Sequence, residues 1–250
     1  MDFLSVLTSA GHIGFRGRIH AGPARPSLLM VAGAFPRPDQ HQEMINWFPE
    51  FNVVIARLPG MGVPVSHADA AQMTIGVQEA TSLLLRDWPL VVCGGSASGL
   101  VTIPLQGSNI RRKVILDPFL TTDPLWPLRN FITGILEREP HNEHLRRYAW
   151  EMFGWSTEGR ENRDYRSIVA ALNVPTDVMV GGMALQPERA LNVFPSLTSI
   201  EDRAILSAHP LVTMHEGPPD VGHDLWSSET ASQTIKELLR AALESAAERL

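Results

Sequence analysis

One stretch of the chain joins a buried strand to a turn made of the smallest residues, and it constrains the fold more than any other. Leu90–Cys93 is a continuous apolar run, which predicts a buried strand of a parallel sheet. The sequence Gly-Gly-Ser-Ala-Ser follows at residues 94–98, with Ser96 at its centre. A serine on a strained turn between a strand and a helix needs small neighbours, because backbone and side chains pass close together there. The pattern therefore predicts a strand, a sharp turn and a helix around Ser96.

Apolar runs and helical patterns alternate along most of the chain. Strands are predicted at Ser27–Val31, Phe51–Ala56, Leu90–Cys93, Arg112–Leu116, Val174–Val180 and Leu211–Met214. Helices are predicted at Asp39–Phe48, Asp69–Leu85, Gly99–Gln106, Ser199–Ser207 and Ser228–Arg249. This alternation favours right-handed crossovers and an α/β fold, a mostly parallel central sheet flanked by helices. Short runs bounded by Gly and Pro in residues 1–27 predict an antiparallel hairpin at a sheet edge.

The alternation stops in residues 121–171, where Trp126, Trp150 and Trp155 stand among many charges. This segment is predicted to form several helices inserted between core elements. A chain of 250 residues with 44% apolar content can form one sizeable core. We therefore expect a core of residues 1–120 and 172–250 and an inserted unit of residues 121–171.

Several segments resemble the α/β-hydrolase family. Residues 94–98 are similar to its nucleophile elbow, Gly-x-Ser-x-Gly, although Ser98 stands where the family usually has glycine. Leu28–Ala34 resembles the strand and His-Gly turn before the oxyanion loop, with Ala32 in place of His. Val53–Gly62 is similar to the strand ending in Asp-Leu-Pro-Gly-x-Gly, with Arg57 in place of Asp. The resemblance covers most of the chain and implies the α/β-hydrolase fold, with residues 121–171 as a helical lid.

The resemblance also implies catalytic roles. Ser96 is the expected nucleophile, and His223, in Gly-His-Asp before the last helix, is the expected general base. By the family pattern, the backbone amides of Ala34 and Ala97 form the oxyanion hole. The chemistry then needs a carboxylate that orients the imidazole of His223.

The position of this acid is open. The usual site, after the strand that ends at Val180, holds no carboxylate until Glu188. Some members place the acid after the preceding strand, where this chain has Asp117. Catalytic groups of open α/β sheets lie at the carboxyl ends of strands, which favours Asp117. Glu188, or no acid at all, remains an alternative.

The first interpretation is a serine hydrolase that cleaves an ester or thioester of a small or acyl substrate through an acyl-enzyme on Ser96. An apolar lid over the elbow would suit an acyl substrate. The alternative is an inactive or non-hydrolytic member that keeps the fold as a binding module. The departures at Ala32 and Ser98 and the missing acid after Val180 favour this alternative.

Composition narrows the range of partners. The net charge is −6, from 27 acidic and 21 basic side chains, and without a long run of Lys or Arg nucleic acid is not an expected partner. The N-terminus indicates neither a signal peptide nor a membrane span, and the single cysteine, Cys93, fits a core position and a cytoplasmic location. The histidines are scattered, so neither a metal nor a cofactor is expected.

Overall fold

In the computed structural model, the described residues are 4–20, 25–32, 38–58, 69–185 and 193–248. They contain one sheet of eight strands in the order β1-β2-β4-β3-β5-β6-β7-β8. The strands are β1 (Leu4–Thr8), β2 (Gly11–Arg18), β3 (Ser27–Val31), β4 (Asn52–Arg57), β5 (Leu90–Gly95), β6 (Ile110–Leu116), β7 (Thr176–Val180) and β8 (Val212–Glu216). The first pair, β1 and β2, forms an antiparallel hairpin at the sheet edge, and β3 to β8 are parallel. The predicted mostly parallel α/β sheet is therefore confirmed.

Register brings the ends of the central strands together. Val31 of β3 pairs with Gly94 of β5, and Gly95 pairs with Leu116 of β6. The next residues in sequence, Ser96 and Asp117, thus follow neighbouring strands at the same edge of the sheet. In an open parallel sheet this carboxyl edge is where ligands bind.

Helices cover both faces of the sheet. They are α1 (Pro38–Trp47), α2 (Ala70–Leu84), α3 (Gly99–Thr102), α4 (Trp126–Arg138), α5 (Glu143–Tyr148), α6 (Ile200–Ser207) and α7 (Glu229–Ala247). One core cluster contains α2 and α3, and another contains α1 and α7. Helix α7 presents Ile235, Leu239 and Leu243 to that second cluster, as the four-residue spacing predicts.

Several element bounds differ from the sequence prediction by one or two residues, and the end of α3 differs by four. Helix α3 ends at Thr102 rather than at Gln106. Pro104 explains this, because proline lacks the backbone N–H that would continue the helical hydrogen bonds. The last strand continues to Glu216, two residues beyond its predicted end. Helix α7 begins one residue later than predicted, with Ser228 as its N-cap accepting a hydrogen bond from the Ala231 N–H.

The segment between β6 and β7 consists of α4, α5, a π-helical turn at Ala149–Phe153 and a 3₁₀ turn at Arg166–Ala171. Gly154 ends the π-helical turn with a φ of 71°, and a Cβ there would lie 1.8 Å from a backbone oxygen. The ring of Phe153 stacks on Phe119 at 5.5 Å and on Trp155 at 4.9 Å. These rings belong to the same buried apolar cluster as Ala97, so the segment packs against the core.

Among the described residues, no helix combines the length and apolar character needed to cross a membrane.

Candidate active site

The Ser96 turn is built from close contacts that only small residues permit. Ser96 has a φ of 54°, in the left-handed region that residues other than glycine rarely adopt. A Cβ on Gly94 would lie 2.1 Å from Thr102 Oγ1, and a Cβ on Gly99 would lie 2.9 Å from Pro118 Cβ. The glycines at these positions therefore let β5, the turn and α3 approach one another. Ser96 itself is half-buried.

Ser98 fills the position where the family usually has glycine, and its hydroxyl is used within the turn. Ser98 Oγ accepts a hydrogen bond from the Gly95 N–H at 2.9 Å and donates one to the Gly95 carbonyl at 2.8 Å. Thr102 Oγ1 donates to the Ser98 carbonyl at 2.9 Å. The extra hydroxyl joins the two sides of the Ser96 turn instead of crowding it.

Asp117 follows β6 with a φ of 44°, and it is only 1% exposed. Its Oδ2 lies 2.7 Å from Nδ1 of His223. A carboxylate only accepts hydrogen bonds, so Nδ1 carries the proton in this pair. Nε2 of a neutral His223 is then the unprotonated nitrogen that can accept a proton.

Backbone contacts hold His223 in place. Its N–H donates to the Phe194 carbonyl at 2.9 Å, and the two rings lie 6.0 Å apart. A Cβ on Gly222 would lie 1.8 Å from the same Phe194 carbonyl, so only glycine fits before His223. The His223 side chain is 25% exposed, which leaves one side of the ring accessible.

Further donors surround Asp117, and the sequence did not predict them. The backbone N–H groups of Gly181 and Leu197 donate to it at 3.1 and 2.8 Å. The Ser196 hydroxyl also donates to Oδ1, and Thr198 Oγ1 lies 3.3 Å from the same oxygen. A buried carboxylate needs such donors, because an unpaired buried charge is costly.

The expected site residues fall into three groups. Asp117 and His223 are hydrogen-bonded to each other, while Ser96 and Ala97 lie at the end of the neighbouring strand. Within the part of the chain that is described, no hydrogen bond joins the Ser96 hydroxyl to His223. Catalytic hydrogen bonds of this kind are often long before substrate binds. Ala34 and Glu188 lie outside the described residues.

Other reactive groups near the turn are inert or absent. Cys93 is fully buried in β5, and burial raises the pKa of its thiol to about 12, so it remains a protonated core side chain. Across residues 4–20, 25–32, 38–58, 69–185 and 193–248, no group of three His, Cys, Asp or Glu side chains is arranged to hold a metal ion.

Comparison with known proteins relates the fold of this chain to solved structures. No family model and no curated protein matches the sequence. Solved structures do match. An esterase from Thermogutta terrifontis is 17% identical with a TM-score of 0.66, over 99% of this chain and 100% of that one. The enol-lactonase from Burkholderia xenovorans LB400 is 14% identical with a TM-score of 0.68, over 96% and 100%.

A third match is an α/β-hydrolase enzyme from a deep-sea metagenome library of the Medee basin. It is 9% identical with a TM-score of 0.71, over 96% of this chain and 97% of that one. The matches cover nearly the whole of each chain at TM-scores of 0.66 to 0.71. The chain therefore has the α/β-hydrolase fold.

Proposed function

We propose that this protein is a serine hydrolase that cleaves a small-molecule ester or thioester through an acyl-enzyme on Ser96. In this proposal His223 is the general base and Asp117 is the acid that orients it. The backbone amides of Ala97 and Ala34 stabilise the oxyanion.

The reaction would follow the usual order for such residues. Ser96 Oγ attacks the carbonyl carbon of the ester while Nε2 of His223 takes the hydroxyl proton. The tetrahedral intermediate collapses, the C–O or C–S bond of the leaving group breaks, and the leaving group receives the proton from His223. Water then attacks the acyl carbon and gives a proton to His223. The bond to Ser96 Oγ breaks, the acid leaves, and His223 returns the proton to Ser96 Oγ.

The observation that carries the proposal is the 2.7 Å contact between His223 Nδ1 and the buried Asp117 carboxylate, beside a serine with left-handed backbone. This contact orients the imidazole and stabilises the imidazolium that forms when Ser96 loses its proton.

The substrate class is supported by two observations. Structures with this fold include proteins described as esterases, a carboxylesterase and an enol-lactonase. In addition, residues 121–171 pack apolar side chains into the same cluster as Ala97. We propose that this segment is a lid whose apolar inner surface contacts the acyl part of the substrate.

A fluorophosphonate probe tests the proposal without knowledge of the natural substrate, because it reacts with activated serines. The wild-type protein is expected to become labelled, and Ser96→Ala is expected to lose the label. Ser207→Ala, which changes an exposed serine of α6, is the matched control and should be labelled normally. A folded wild type that is not labelled would favour the alternative, a binding module without hydrolytic activity.

A further inference from the structure

We propose that Ser196 is a positioning residue that tunes the Asp117–His223 pair by donating a hydrogen bond to the acid. It acts within the segment Phe194–Thr198, which we call the brace. This inference rests on the proposed function, because it assigns a role to a side chain that touches the acid and not the substrate.

The brace contacts both members of the Asp117–His223 pair. At one end, the Phe194 carbonyl accepts the His223 N–H at 2.9 Å. Further along, the Leu197 N–H and the Ser196 hydroxyl donate to the two oxygens of Asp117. The Ser196 N–H in turn donates to the Met183 carbonyl at 2.8 Å, which fixes the brace to the loop after β7.

The direction of the Ser196 hydroxyl is determined by its neighbours. Ser196 Oγ accepts a hydrogen bond from the Thr198 N–H at 3.2 Å, so its own proton is available for Asp117 Oδ1. Thr198 Oγ1 donates to the Pro118 carbonyl at 2.5 Å and lies 3.3 Å from Asp117, so its single proton is used mainly on Pro118. Ser196 is therefore the hydroxyl that donates to the acid.

This donation has a chemical consequence. Each donor spreads the negative charge of Asp117, and a carboxylate with more donors attracts the imidazolium of His223 less strongly. Both serine and acid are buried, so water does not weaken the effect. Removal of the Ser196 hydroxyl should make Asp117 a stronger partner for the imidazolium, and His223 would then keep its proton to higher pH.

Other charged groups near the brace would not change with Ser196. Arg203 of α6 donates to the carbonyls of Thr198 and Gly181, at 3.2 and 2.6 Å, and forms an ion pair with Glu216 of β8 at 2.8 Å. Asp220 and Asp224 belong to the same loop as His223. These charged groups are the same in the wild type and in the Ser196 variants. A difference in pH dependence between those proteins therefore reports on the Ser196 hydroxyl.

The test is the rate constant of fluorophosphonate labelling as a function of pH, measured for wild type, Ser196→Ala and Ser196→Thr. We expect the acid limb of the Ser196→Ala profile to move to higher pH by about half a unit or more. Ser196→Thr keeps a hydroxyl and should return the midpoint close to that of wild type. Ser207→Ala removes the hydroxyl of an exposed serine of α6 and should leave the midpoint unchanged.

An unchanged midpoint in folded Ser196→Ala, or a shift to lower pH, would overturn the inference. If Ser196→Ala does not fold, Ser196→Cys replaces the hydroxyl by a weaker donor and should shift the midpoint in the same direction. If wild type is not labelled at all, the proposed function has failed. The inference is then tested by following the ring protons of His223 by NMR during a pH titration, where the same upward shift is expected.

Discussion

Ser96 and Asp117 follow neighbouring parallel strands, and both have left-handed backbone, with φ values of 54° and 44°. Among the described residues other than glycine, they are the two with this conformation. This backbone conformation costs energy for residues other than glycine, and it persists only where the surrounding structure imposes it. Both turns end strands at the carboxyl edge of the sheet, so the strain coincides with the proposed site.

Replacement of the acid should slow the reaction far more than it unfolds the protein. Asp117→Asn keeps the size of the side chain, and asparagine tolerates left-handed backbone. The amide cannot hold His223 in the required tautomer, a change that costs about 10⁴-fold in a site with serine, histidine and aspartate. The labelling rate constant of Ser96 measures the loss, with circular dichroism as the check on folding.

Asp177→Asn is the matched control for this change. Asp177 is also buried and also contacts a histidine, with His215 Nε2 at 2.9 Å and Arg112 Nε at 2.6 Å. Asp177 lies in β7, and its histidine partner is His215 and not His223. We expect Asp177→Asn to lower stability but to keep the labelling rate. Equal slowing in both variants would mean that Asp117 acts through stability alone.

The Ser98 hydroxyl should stabilise the Ser96 turn. Ser98→Gly restores the usual family residue, yet here it removes two hydrogen bonds to Gly95, each worth about 1 kcal/mol net. We expect a lower free energy of unfolding in urea and slower labelling of Ser96. Ser98→Ala separates the lost hydroxyl from the added flexibility of glycine, and it should retain part of the stability. A Ser98→Gly protein as stable and as reactive as wild type would refute this role.

Lys113 should make stability depend on pH in the alkaline range. Its side chain is buried in β6 with Nζ donating to the Ile103 carbonyl at 2.6 Å, and burial lowers the pKa of Lys113 to about 8. Between pH 8 and the pKa of the unfolded chain, the unfolded state binds more protons, so this group makes stability rise with pH. Below pH 8, Lys113 is protonated in both the folded and the unfolded state, and its buried charge lowers the free energy of unfolding by the full amount.

The comparison of wild type with Lys113→Met isolates this effect. Cys93 acts in the opposite direction, because burial raises its pKa to about 12, but it is common to both proteins. We expect Lys113→Met to be the more stable protein at pH 7, by about 3 kcal/mol at most, and the difference to shrink towards pH 10. A difference that is constant with pH, measured by urea unfolding, would show that folding does not lower the pKa of Lys113.

The aromatic stack should couple the proposed lid to the core. Phe153 lies between Phe119 and Trp155, so Phe153→Ala removes both contacts and should cost about 3–5 kcal/mol of stability. Trp150→Ala changes a ring in the same segment that is 42% exposed, and it should cost much less. Thermal unfolding of the two variants checks this. Similar losses would indicate that the stack does not anchor the segment.

Local sequence patterns predict much of this fold because its strands are continuous apolar runs and its turns contain small residues. Leu90–Cys93 can be assigned to a buried strand, and the residues after it to a tight turn, from neighbours in sequence alone. The position of His223 before the last helix is likewise a local pattern. The contact between His223 and Asp117 spans 106 residues, and the family resemblance only narrowed the acid to a few alternatives.

The brace shows what such patterns miss. Ser196 donates to an acid 79 residues away, and nothing in its own sequence neighbourhood has a helical or strand period that would mark it. A serine in a loop is ordinary, and only the fold places it against Asp117. The end of helix α3 was also predicted wrongly: the helix after the Ser96 turn was expected to continue to Gln106, but it ends at Thr102, before Pro104.

The most direct test of the whole account is mass spectrometry of the protein after rapid quenching with an activated aryl ester. We predict a single acyl group on the peptide that contains Ser96, absent in Ser96→Ala. The acyl group should form much more slowly in Asp117→Asn. A folded wild-type protein that hydrolyses the ester with no acyl group on Ser96, or with the acyl group on another residue, would contradict the account.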